Sequence, residues 1–64
     1  MKVINYAVFS PTVGLIDGIT LPTGSTPEDA VNASRSLALM TLGEVVTKRL
    51  YEKAYALKIQ ETER

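Results

Sequence analysis

Apolar side chains crowd residues 3–9, thin out through a stretch rich in turn formers, and recur at helical intervals from Ala30 to Leu57. In the first run Val3, Asn5, Ala7 and Phe9 share one parity, and Ile4, Tyr6 and Val8 the other. Alternate residues of a strand point to opposite faces. β-Branched and aromatic residues favour a strand here, and Ser10-Pro11 ends it. Apart from Asn5 both faces are apolar, whereas an exposed edge strand alternates apolar with polar. This strand is expected to be sandwiched inside something or added to the sheet of another chain, or else to be a short buried strand against the protein's own helix, which covers only one of its two faces.

Ile16-Asp17-Gly18-Ile19 carries the strongest short-range hairpin signal, because Asp and Gly tolerate the positive φ of a type I′ turn. It predicts short strands over residues 12–16 and 19–21. Pro22 stops the second one, having no amide to give to a ladder. Residues 1–25 therefore read as an apolar extended arm or short β-hairpin, left through the loop Pro22-Thr23-Gly24-Ser25.

A helix start follows. Thr26 suits an N-cap, Pro27 is already set to the helical φ at N1, and Glu28 and Asp29 face the positive end of the helix dipole. Beyond Pro27 there is no further proline and a single glycine, Gly43. Residues 26–64 thus predict one long C-terminal helix, with Gly43 as the place for a bend, a close backbone approach or an alternative boundary. At ~1.5 Å per residue that helix spans roughly 54 Å, more than the arm can cover.

Residues 30–46 are small or apolar on nearly every side, the pattern of a helix buried all round. From Thr47 onward charged residues clothe most of the surface, with Glu44, Lys48 and Glu52 spaced for i, i+4 ion pairs. One stripe continues through Leu39, Leu42, Val46, Leu50, Ala54 and Leu57, spaced to suit a nearly straight partner helix. Tyr51, Tyr55 and Ile59 form a second strip beside it.

Size and charge narrow the role. A chain of 64 residues forms one small domain or subunit, and a domain of that length buries only about 60% of its unfolded surface. There is no Cys and no His, which removes disulfides, thiolates and imidazole ligands and argues against a structural metal. Seven basic and seven acidic residues cancel, so nucleic acid and anionic membrane are disfavoured as partners. The amino-terminal stretch lacks the plan of a signal peptide and no apolar run is long enough to span a bilayer. A cytoplasmic location, or a particle assembled there, is the expectation.

No constellation for chemistry emerges. Hydroxyls are plentiful, but without His a general base would have to be a Lys or a carboxylate from the charged helix end. Gly14, Gly18 and Gly24 match neither phosphate-loop spacing and read as turn glycines. Asn32-Ala33-Ser34 matches a glycosylation sequon but lies inside the predicted helix. No catalytic, cofactor-binding or metal-ligating residues are therefore assigned. Arg35 lies in the apolar half of the helix, where it must find a carboxylate or carbonyls or else extend its head to water, with Glu44 of a neighbouring chain as a candidate partner.

These readings predict an oligomeric α+β protein acting as a non-enzymatic structural or interaction subunit, its arm adding strands to a neighbour and its helix packing in a bundle. Small virion components and accessory subunits share that outline. The predicted interface comprises Val3, Ile4, Tyr6, Val8 and Phe9 on the arm, and Leu39, Leu42, Val46, Leu50, Tyr51, Ala54, Tyr55 and Leu57 on the helix. The alternative is a small DNA-binding regulator dimerising through its N-terminal strand, with Lys48, Arg49 and Lys53 as its basic cluster. A third reading, a membrane-associated accessory subunit, would use residues 3–21 as an interfacial segment.

Overall fold

The strand that is apolar on both faces is the central one. The computed structural model describes residues 1–63. They form strand β1 (Lys2–Ser10), strand β2 (Gly14–Pro22), helix α1 (Pro27–Leu42), helix α2 (Glu44–Leu50) and strand β3 (Tyr55–Glu63). The sheet has the order β2-β1-β3, with both neighbours antiparallel to β1. Both edges of β1 are thus paired within the chain, and any strand added by a neighbour has to join at β2 or β3.

The helices cover one face of this sheet. Ile4, Tyr6 and Val8 of β1 pack with Ala30, Val31 and Ala38 of α1, joined by Tyr51 and Ala56. Alanines at two of these three helix positions let α1 lie close to the strands, while Ile16, Ile19, Leu21, Leu50 and Ala54 close the sides of the core. The Cα trace measures 36 × 22 × 14 Å, a slab of two thin layers.

The start of α1 forms as its sequence dictates. The Thr26 Oγ1 accepts from the Asp29 amide at 3.2 Å, and an Asp29 carboxylate oxygen accepts from the Thr26 amide at 2.9 Å. This reciprocal capping satisfies two amides that a helix end leaves unpaired.

The single long helix over residues 26–64 does not form. Gly43, at φ 82° and ψ 173°, ends α1 after Leu42 and starts a separate seven-residue α2. Lys53, at φ 57°, then turns the chain out of helical conformation, and residues 55–63 return as β3. The physical reason is non-local: β1 needs a partner on its second edge, and Tyr55, Leu57, Thr62 and their neighbours supply one. A sheet of three strands with a covered face is stable where a hairpin beside a bare rod is not. The stripe from Leu39 to Leu57 is accordingly divided among α1, α2, a turn and β3, so no continuous seam for a partner helix exists. Tyr51, Tyr55 and Ile59 share no helix either. Glu44, Lys48 and Glu52 form no ion pair among the described residues.

The hairpin turn also lies elsewhere than predicted. It is made by Pro11, Thr12 and Val13, closed by Gly14 at φ 83°, with the Ser10 hydroxyl accepting from the Thr12 amide at 3.3 Å. Asp17 and Gly18 sit inside β2, and Gly18 does not take positive φ. A register shift opposite Val8 and Phe9 makes Ile16 an extra residue on β2, so Ile16 and Asp17 form a bulge there. Asp17 therefore serves the core side of the sheet instead of a turn.

Candidate functional site

Two of the core's hydroxyls, those of Ser34 and Tyr51, join the half-buried Asp17 carboxylate in one hydrogen-bonded chain. The Ser34 hydroxyl donates to an Asp17 carboxylate oxygen at 3.2 Å and is also hydrogen-bonded to the Tyr51 hydroxyl. With the Ser34 proton committed to the carboxylate, Tyr51 is the donor to Ser34. The second Asp17 oxygen accepts from the Gly18 amide at 2.8 Å. This relay ties β2, the middle of α1 and the end of α2 together. Ser34 is fully buried and Tyr51 nearly so, while Asp17 is half-buried. Its role is to satisfy polar groups inside the core. Among the described residues no three acids converge as a metal site.

The face of the sheet away from the helices is open. In register across it lie Pro22, Val3 and Thr62; Thr20, Asn5 and Gln60; Gly18, Ala7 and Leu57; and Leu15, Phe9 and Tyr55. None of these is charged. Phe9 and Tyr55 stack with ring centroids 5.6 Å apart, beside Leu15 at 65% and Leu57 at 55% exposure. Asn5 occupies the one polar rung, where it accepts from the Thr20 hydroxyl at 2.8 Å and donates to that of Thr62 at 3.0 Å. The Gln60 amide donates to the same Thr62 oxygen at 3.3 Å.

A second exposed surface lies where α1 meets α2. Leu39, Met40, Leu42, Val45 and Val46 fall within eight consecutive residues and none is covered, Met40 reaching 77% and Val45 71% exposure. Beside them runs an open groove of about 800 Å³ lined by Arg35, Leu39, Glu44, Val45, Lys48 and Tyr51, among others. Arg49 and Glu52 share its rim, so basic and acidic side chains interleave. The Arg35 guanidinium donates a hydrogen bond to the Asn32 side-chain oxygen at 3.3 Å.

The predicted interface residues fall into three groups. Ile4, Tyr6, Val8 and Tyr51 are buried in the chain's own core, with Leu50 and Ala54 packed at its side. Val3, Phe9, Tyr55 and Leu57 lie together on the open sheet face, and Leu39, Leu42 and Val46 at the helical corner. Leu15 and the Asp17–Ser34–Tyr51 relay were beyond sequence reasoning. Parity would have placed Leu15 only once the register of β2 was known, and nothing local marks Ser34. No helix is long and apolar enough to cross a membrane among the described residues.

Comparison with protein-family models, with curated proteins and with solved structures finds no match.

Proposed function

We propose that this chain is a non-enzymatic subunit of a larger protein assembly and that it docks through the open face of its sheet onto a second copy of itself. The observation that carries this reading is the lack of charge on that face, where Leu15, Phe9, Tyr55 and Leu57 lie side by side across three strands. A sheet face meant for water ordinarily presents polar and charged residues at its outward positions. Apolar surface left in water forfeits about 25 cal/mol per Å², and contiguous patches of it mark interaction sites.

The polar rung supports the same reading. Asn5, Thr20, Thr62 and Gln60 already bond to one another, so covering them strands few polar groups. A second copy offers an identical uncharged surface, and two such faces can pack like the sheets of a sandwich without burying an unpaired charge.

Light scattering on the isolated chain over a wide concentration range tests this, with Leu57→Glu as the comparison. Leu57 projects from the open face and is half exposed, so the variant is expected to keep its circular dichroism and a cooperative melt, at a lower temperature for want of the docked partner, while losing mass relative to wild type. A wild-type chain that stays monomeric at millimolar concentration and melts cooperatively overturns the reading, as does an unchanged mass for Leu57→Glu.

A further inference from the structure

The helical corner carries a pattern the sheet face does not explain. Arg35, one turn before Leu39 on α1, and Glu44, next to Val45 at the start of α2, line the same groove, are both exposed, and form no ion pair among the described residues. Charges of both signs on one rim suit neither a simple anion, which would meet Glu44 and Glu52, nor a simple cation, which would meet Arg35, Lys48 and Arg49. A fitting occupant carries both signs in matching places.

We infer that a second copy of this chain docks on the α1–α2 corner about a two-fold axis, with Arg35 of each copy paired to Glu44 of the other. In an isologous contact residue i meets j and j meets i, so this one arrangement makes the pair twice. Leu39 and Val45, which line the same groove as the two charges, then cover each other's exposed surface near the axis. The five uncovered apolar side chains of the corner offer on the order of 500 Å² of apolar area, near the top of what a monomer leaves open. With the charged rim this approaches the roughly 800 Å² per partner of a stable interface. The two charges steer and register the contact, and the apolar side chains hold it.

The inference is independent of sheet-face docking, and a charge swap separates the two. In the Leu57→Glu background, sedimentation equilibrium is expected to show a monomer–dimer equilibrium. Arg35→Glu and Glu44→Arg each place two like-charged pairs across the axis and are expected to weaken dimerisation roughly ten-fold or more. The double variant Arg35→Glu with Glu44→Arg restores opposite charges and is expected to dimerise as the parent does. Circular dichroism on each variant verifies the fold. A monomeric parent, single variants that dimerise like the parent, or a double variant that fails to recover each overturn the inference. If Leu57→Glu lowers the mass and the swap has no effect, sheet docking stands and the corner dimer falls; if the swap acts and Leu57→Glu does not, the corner dimer stands and sheet docking falls.

Discussion

Ser34 and Thr47 are both buried hydroxyls on helices, yet their surroundings differ in a way that sets opposite signs for their removal. Ser34 links Tyr51 to Asp17, so Ser34→Ala leaves the buried Tyr51 hydroxyl without its acceptor and is expected to cost about 1–3 kcal/mol. The Thr47 Oγ1 is buried with no hydrogen-bond partner among the described residues. Thr47→Val keeps the shape and removes the unpaired oxygen, and is expected to stabilise the fold by about 1 kcal/mol. For a domain of this size that is a rise of roughly 4–8 °C in melting temperature. Thermal melts of the two variants at one protein concentration test the pair, and a lowered melting temperature for Thr47→Val would refute the assignment. Neither residue announces its environment in the sequence. A serine and a threonine inside a helical pattern read as filler, and only the packing of β2 and the end of α2 against α1 reveals which hydroxyl has found partners.

Elements were legible where their determinants are local. The capping interaction between Thr26 and Asp29 takes place within four residues, and the strand over residues 3–9 is written in its own side chains; both form. The break at Gly43 and the strand β3 were hidden because the deciding partner lies far away: residues 55–63 pair with β1 some fifty positions earlier. Tyr55, Leu57 and Ile59 do recur at period two, a strand signal that the absence of proline and glycine outweighed. The sign of a Gly43→Ala effect distinguishes the two architectures. In one continuous helix the change is stabilising by about 1 kcal/mol. At φ 82° and ψ 173° the backbone lies in a region open essentially to glycine alone, so the expected outcome is a loss of about 1–3 kcal/mol. A Cβ there meets nothing within 4 Å, which leaves backbone strain as the sole cause. Chemical denaturation of Gly43→Ala reads that sign directly.

At the scale of the whole molecule, the two proposed contacts together would set the size of an assembly. The candidate site was half legible: parity along β1 showed that one face would lack cover, and Arg35 with Glu44 suggested a contact between chains, but only the fold separates the sheet face from the helical corner. α1 packs on one side of a thin slab while Leu15, Phe9, Tyr55 and Leu57 open on the other, so docking at the sheet leaves the corner free. A subunit with two different two-fold contacts does not stop at a dimer; it closes as a tetramer or extends as a string, according to the angle between the axes. A single domain of this length holds roughly 3–10 kcal/mol of folding free energy by itself, and each docking adds to it in proportion to the logarithm of concentration. Sedimentation velocity at high concentration is therefore expected to find wild type heavier than a dimer. Leu57→Glu alone and Arg35→Glu alone should each leave a smaller species that still self-associates through the other surface, and the combined variant should be a monomer with the lowest melting temperature of the four. A combined variant as heavy as either single one would show that the two surfaces are not separate interfaces.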